Sequence, residues 1–582
     1  MSELPPEILD HVFIILRLSS DLPSLRACIK VSSLFRSLAE RHLYYHLTLS
    51  NLPNRSRSNT SANSSTTEFN PKEVLDLLTN HPHIAAYVRS LQIRLAVPWR
   101  DVGVLSWIFL RDSAVKSASQ KSTEALEDIC NTLLLLTHLE RIVLHGDGAR
   151  VEAVRWRQLS IEFRREFVDV LALNGENLKS VDVSSIEGFP LEVLSNVGGL
   201  ERVRLEGCFS HRDGTFGGQQ LHSPNSHLEN LQYLTLQDGT TSFSNFLAWL
   251  TSSTSTSTGV PSLSPSSHPR PILPRLSHFS TTLYTIEHYT HLSTILSTCK
   301  GSLEVLVLDP GQTANLTYNA YAEEDPPPHL PVSPDSFAVQ LGLVSESSSA
   351  LASPSPSLSA EAYVIFALGA LPALCDLTLK VAINVSETFW VESWGEEGTD
   401  EVVYSTPFAW VRKVLDGILS TSASVSPSAS GAGGSSSSTA TAASPPSLRH
   451  LTLDITLPSN ASPYALSKIR WSPLTSALAY FCSHPSFSST LSELTSSGSS
   501  RQVEVLLKMG SVNNVGNLNA GNNSKDDSNN TTRLGTVVNA LNEDGNLIEF
   551  IEAGVVHVGI VGMNGEVGDT RIEGEGWLRS GL

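Results

Sequence analysis

Histidines, cysteines, glycines and serines are the side chains through which this sequence could act chemically, and their spacing narrows what that chemistry would be. His42 and His46 stand four apart in HLYYH, a separation that can aim two imidazoles of one helix at a metal ion. The segment lacks the glutamate of HExxH and a third ligand, so both read as structural or surface histidines. His288 and His291 in EHYTH read the same way. The six cysteines, Cys28, Cys130, Cys208, Cys299, Cys375 and Cys482, lie far apart with no CxxC pair. That spacing suggests neither a zinc knuckle nor a dense disulfide frame, and fits thiols in a reducing compartment. The glycines of GIVGMNGEVG, residues 559–568, fall three apart and give neither GxGxxG nor a P-loop, so they read as turn glycines. No GxSxG elbow occurs, and no Ser, His and acid can be singled out as a triad. No catalytic residue, metal or cofactor is assigned, and the chain reads as a non-enzyme.

Other residues suit binding. Arg150, Arg155, Arg157, Arg164 and Arg165 gather around the predicted helical run VRWRQLSIEFRREFVDVLAL, 154–173. Guanidinium groups so placed could take a carboxylate or phosphate bidentately, or simply form a solvated helix face. In WVESWGEEGTDE, 390–401, Trp390 and Trp394 stand among five acids, either an aromatic anchor with an acidic rim or an acidic loop with packed tryptophans. Ser333, Ser353, Ser355 and Ser426 each precede proline in low-complexity sequence and are candidate phosphorylation sites. With 39 basic against 58 acidic residues the net charge is −19, which argues against nucleic acid or an anionic membrane as partner.

The 582 residues exceed what one core supports, so several units or a repeat array are expected. Six stretches rich in Ser, Thr, Pro, Gly or Asn read as disordered: 51–67, 251–270, 323–358, 420–447, 486–500 and 511–532. Between them the pattern apolar-x-x-apolar-x-apolar returns: VRSLQI from Val88, LERIVL from Leu139, LKSVDV from Leu178, LERVRL from Leu200, LQYLTL from Leu231, LEVLVL from Leu303, LCDLTL from Leu374 and LRHLTL from Leu448. LSHFST from Leu276 is a weaker copy. The last two apolar positions, two apart, share one face of a short strand that is buried while the other face is wet. Helical runs fill several gaps, at 154–173, 361–371, 408–419 and 469–484. Alternating strands and helices predict an α/β fold with a parallel sheet, arranged as a solenoid if each unit touches only its neighbours; a doubly wound sheet is the alternative.

The hexamer resembles the strand core of leucine-rich repeats, and LERVRLEGC places Cys208 where that family has Asn or Cys. Starts are separated by 22 to 74 residues, too irregular for an undecorated array. Residues 4–47 contain three helical patterns, with Pro5 and Pro6 opening the first and Ser20-Asp21 capping the second. LPPEIL, DLPSLRAC and VSSLF within them resemble the three sequence blocks of an F-box, with Phe35 where many members carry Trp and a polar Ser33. EVLDLLTNHPHIAAYVRSLQI, 73–93, is similar to the helix-then-strand lead-in of fungal F-box proteins with leucine-rich repeats.

That resemblance implies docking to a Skp-family adaptor and its cullin complex through Leu4, Pro5, Ile8, Leu9, Leu22, Leu25, Val31 and Phe35. The rest of the chain would bind a protein substrate of unknown identity, with Arg155, Arg157, Arg164, Arg165, Trp390 and Trp394 as further partner surface. The expected organisation is an F-box-like three-helix module over 1–50, a linker over 51–70, an irregular leucine-rich-repeat-like α/β solenoid with disordered insertions over 71–510, a disordered linker over 511–532, and a β-rich segment over 533–582. Residues 4–47 read purely as a helical cap for the repeats are the plainer alternative. A repeat scaffold unconnected with ubiquitination, and an unidentified hydrolase or transferase, are the other function classes. No apolar run is long enough to span a bilayer and the acidic start lacks a signal peptide's bases, so a cytoplasmic or nuclear protein is expected.

Overall fold

A computed structural model describes residues 5–19, 21–51, 69–95, 112–146, 154–190, 193–194, 197–208, 227–237, 273–283, 286–311, 316–319, 368, 371–388, 401–423, 448–458, 461–484, 502–509, 526–543, 547–552, 555–561 and 567–568. The chain divides into two compact units, Met1–Leu273 and Pro274–Leu582.

The first unit opens with helices α1 (Pro6–Leu18), α2 (Leu22–Cys28) and α3 (Ser33–Leu43). Local chemistry sets their ends. Pro6 sits in the first turn of α1, where a missing N–H costs nothing. The carboxylate of Asp21 accepts from the Ser24 amide (3.1 Å), and the Ser32 hydroxyl accepts from the Phe35 amide (3.2 Å). A parallel sheet follows, with strands β1 (His46–Ser50), β2 (Ser90–Leu95), β3 (Arg141–Gly146), β5 (Ser180–Ser184), β7 (Arg202–Glu206) and β8 (Tyr233–Gln237) in that spatial order. The two-residue strands β4 (Val154–Arg155) and β6 (Ile186–Glu187) pair separately. Helices α4 (Pro71–Asn80), α5 (Pro82–Ala85), α6 (Asp112–Leu133) and α7 (Ile161–Leu173) occupy the connections, as parallel neighbours require.

Every hexamer of this half is a strand, and the register aligns them. Leu47, Leu91, Ile142, Val181, Val203 and Leu234 are successive partners, as are Leu49, Ile93, Leu144, Val183, Leu205 and Leu236. All twelve are buried, each stabilising the fold by about 1.5–3 kcal/mol relative to exposure. Strand order follows chain order, without the reversal that defines a doubly wound sheet.

In the second unit β9 (His278–Thr282), β10 (Val305–Asp309), β12 (Asp376–Ala382), β15 (His450–Leu457), β16 (Gln502–Met509) and β17 (Val556–Val561) again run parallel in chain order. LSHFST, LEVLVL, LCDLTL and LRHLTL supply the first four. Helices α8 (Ile286–Thr298), α9 (Phe408–Ala423), α10 (Pro463–Ser467), α11 (Ser472–Ser483), α12 (Asp526–Glu543) and α13 (Ile548–Glu552) lie in the connections. The antiparallel sheet β11 (Leu316–Asn319), β14 (Glu401–Thr406), β13 (Asn384–Thr388) has no counterpart in the sequence reading.

Three expectations change. Residues 420–423 and 526–532, assigned to disordered stretches, are the end of α9 and the start of α12; the rest of those stretches, Asn51 apart, lies outside the described residues. The 533–582 segment is helical before it is extended: Leu534, Val537, Val538 and Leu541 are buried at helical spacing, and only then does β17 extend the sheet beside β16, with β18 (Val567–Gly568) antiparallel to it. The helix expected over 154–173 begins only at Ile161, where the Ser160 hydroxyl accepts from the Phe163 amide (3.1 Å). Residues 154–155 are strand and 156–158 a single 3-10 turn.

Candidate functional site

Two faces of α1 compete for the interior, and packing selects one. Leu9 and Phe13 point inward with Leu25 and Ala39 as a small core, flanked by half-buried Leu16, Leu22, Ile29, Phe35 and Leu38. Phe13 meets the Phe35 ring edge to face at 5.7 Å. The other stripe stays outside: Ile8 is 52% exposed, Val12 45% and Ile15 54%, with Val31 at 64% and Leu34 at 45% on the neighbouring elements. Several large apolar side chains are thus exposed on a small module.

Against the eight positions named for adaptor docking, Pro5, Ile8 and Val31 are exposed. Leu9 and Leu25, at 8% and 0% exposure, lie in the core that holds the helices together. Leu22 and Phe35 pack partly against that core, and Leu4 lies outside the described residues. The imidazoles of His42 and His46 do not share a face, because α3 ends at Leu43. His42 is buried with Nε2 2.8 Å from Asp10 Oδ1, and His46 on β1 places Nδ1 2.9 Å from the Ser90 hydroxyl.

The second candidate surface is the polar face of the first unit's sheet. Row by row it presents Ser90, Arg141, Ser180, Arg202 and Tyr233, then Gln92, Val143, Asp182, Arg204 and Thr235, then Arg94, His145, Ser184, Glu206 and Gln237. Arg204 pairs with Glu206 at 2.8 Å, and Arg141 stands 3.9 Å from Asp182. The Arg202 guanidinium lies over the Tyr233 ring at 4.5 Å. Burial raises the Asp182 carboxyl above the usual carboxylate range, against the pull of Arg204 and Arg141. The corresponding face of the second unit carries a Lys508–Asp454 pair at 2.6 Å, and burial likewise raises Asp309.

The arginines expected on one helix are distributed otherwise. Arg155 is on β4, 3.1 Å from Glu187, Arg157 is in the 3-10 turn, and Arg164 and Arg165 are on α7, with Arg165 2.8 Å from Glu166. Arg150, Trp390, Trp394 and the four Ser-Pro sites lie outside the described residues. Sequence reasoning passed over the polar-face residues, because hexamer matching scores only the apolar positions. It also passed over Asn174, whose side chain accepts from the Leu139 amide (2.8 Å) and donates to the carbonyls of Leu136 and Val170 (both 3.0 Å). Asn174→Ala is expected to cost about 2 kcal/mol by stranding buried backbone groups, measured by urea denaturation.

Among the described residues no group of three or more His, Cys, Asp or Glu is placed to hold a metal ion, and no helix is long and apolar enough to cross a membrane. Burial pushes the Cys130 thiol up to about 11 and those of Cys299 and Cys482 up to about 12. Iodoacetamide at pH 8 should therefore spare all three in the folded protein and label them after denaturation; native labelling would contradict their burial. Since the folded thiols hold protons that unfolded ones release, their contribution to stability falls as pH climbs from the ordinary thiol value of 9.0 towards 12. Compared with known families and with curated proteins, the chain matches no family model and no curated sequence.

Proposed function

We propose that this chain is a substrate-recruiting adaptor of a cullin-RING ubiquitin ligase, with α1 to α3 acting as an F-box that docks a Skp-family adaptor. The sheet-and-helix array, read as an irregular leucine-rich-repeat solenoid, binds the protein to be modified. The observation that carries the reading is the outward apolar stripe of Ile8, Val12 and Ile15 with Val31, laid over a core too small to need it. Exposed aliphatic surface of this kind contributes binding energy when a partner removes it from water.

The mechanism asks no chemistry of the chain. Holding a substrate at a fixed distance from a ubiquitin-charged enzyme raises the effective concentration of its lysines, and transfer takes place on other subunits. Such a protein would work in the cytoplasm or nucleus.

A second reading, the helical module as a cap of the repeats, draws on its joints to the sheet. The chain passes from α3 almost directly into β1, Arg17 lies over the Tyr45 ring at 3.8 Å, and His83 Nε2 is 3.9 Å from Glu40. The two roles are compatible: a docking module rigidly joined to the array would fix the substrate's distance.

Co-purification of the full chain with a Skp-family adaptor tests the proposal. The intact protein is expected to retain the adaptor, and Ile8→Glu with Val31→Glu to abolish retention while the thermal midpoint stays within a few degrees, since both positions are exposed. A folded chain that never retains the adaptor leaves the cap within a scaffold as the surviving reading.

A further inference from the structure

We infer that the polar sheet face of the first unit docks an acidic, extended segment of a partner polypeptide, held by Arg141, Arg202 and Arg204. The inference rests on the reading of the array as the substrate-binding part, and names the chemistry of what it binds.

Charge carries the first step. Among the described face positions of the six parallel strands, Arg94, Arg141, Arg202 and Arg204 oppose Asp182 and Glu206, four minus two or +2, in a chain of net charge −19. The same positions of the second unit's sheet hold Lys380 and Lys508 against Asp309, Asp376, Asp454 and Glu504, two minus four or −2. The positive sign therefore belongs to this face and runs against the composition of the whole molecule. A surface of that sign attracts carboxylates and repels cations before contact.

Geometry carries the second. Arg141 and Arg202 are both exposed and stand in one register row with Ser180 between them. Two strand spacings separate them by about 10 Å, and the small Ser180 leaves the space between their heads open. Stacking over Tyr233 uses the flat face of the Arg202 guanidinium and leaves its edge donors for a carboxylate. A peptide in the extended polyproline-II form advances about 3.1 Å per residue with about three residues per turn, so acids three apart share one side and stand about 9 Å apart, close to that separation. Arg204 is shared between Glu206 and the neighbourhood of Asp182, and a ligand carboxylate would compete for it.

Fluorescence anisotropy of the full chain with a short labelled peptide carrying Glu-x-x-Glu in a Gly/Ser background tests this. Binding that weakens with salt, and that falls at least about tenfold for the Gln-x-x-Gln peptide and for Arg202→Glu with Arg204→Glu, is expected. Asp182→Asn removes an opposing charge and should tighten binding severalfold, a gain that misfolding does not produce. Equal affinity for the two peptides, or indifference to Arg202 and Arg204, overturns the inference. So does tighter binding of a single-stranded RNA oligonucleotide, or an Arg202-dependent dimer in sedimentation, either of which hands the face to another occupant. Adaptor retention is read on the same preparations. Adaptor retained with the peptide ignored overturns this inference alone; peptide bound without adaptor overturns the ligase reading and leaves the docking face standing.

Discussion

Gly146→Ala is expected to destabilise the first unit by about 3 kcal/mol or more. Gly146 ends β3, and a Cβ built on it would lie 2.1 Å from the Ser185 carbonyl oxygen and 2.9 Å from its carbon. Those are backbone atoms, so no rotamer relieves the overlap. Nor is the carbonyl free to turn, because it accepts from the Val154 amide (3.1 Å), while the Ser185 amide donates to Glu206 (2.7 Å). Ser185 itself has φ of 56°, a left-handed conformation held by those two bonds. Separating the chains would therefore break the β4 and β6 pairing and loosen β5 from β7. Thermal unfolding and amide exchange over 141–187 should both report it, and a variant as stable as the parent would show that the close approach of Ser185 to Gly146 is wrong.

That approach illustrates which parts of the fold are legible in sequence. Each hexamer became a strand because its two apolar residues, two apart, have one feasible use: a period of two on a buried sheet face. Val181 and Val183 of LKSVDV announce their role without help from distant residues. Gly146 announces nothing, since the reason for it is a carbonyl 39 residues away in sequence. The same limit explains α1. Ile8, Val12 and Ile15 and the stripe of Leu9, Phe13 and Leu16 satisfy helical periodicity equally well, and only the positions of Leu25 and Ala39 decide which enters the core. A family motif marks residues that recur; it does not separate those that touch a partner from those that support them. Leu9 and Leu25 carry that motif and lie in the core. Residues 526–543 were misread in part because the polar first turns of the helix, DDSNNTT, look like linker until Leu534 begins the buried stripe.

Phe13→Ala should divide support from contact most clearly. Removing a fully buried phenylalanine costs about 4 kcal/mol, and a module of this size rarely has more than about 3–5 kcal/mol to lose. Phe13 is 1% exposed, meets Phe35 at 5.7 Å, and lies 6.2 Å from the His42 ring that binds Asp10 across the α1–α3 packing. Its loss opens the contacts that bring the three helices together, and the sheet, with its own twelve-residue double ladder, has no need of them. Amide protection across 6–43 is therefore expected to collapse while β2, β3, β5 and β7 keep theirs. Adaptor retention would disappear too, but for a different cause than in Ile8→Glu, where protection of the helices survives. If Phe13→Ala also stripped protection from β2 and β3, the module would be part of the array's folding nucleus and its capping role would outweigh docking. If the helices kept their protection, the core assigned to Leu9, Phe13, Leu25 and Ala39 would not be what holds them, and the outward stripe would lose its claim to be surplus.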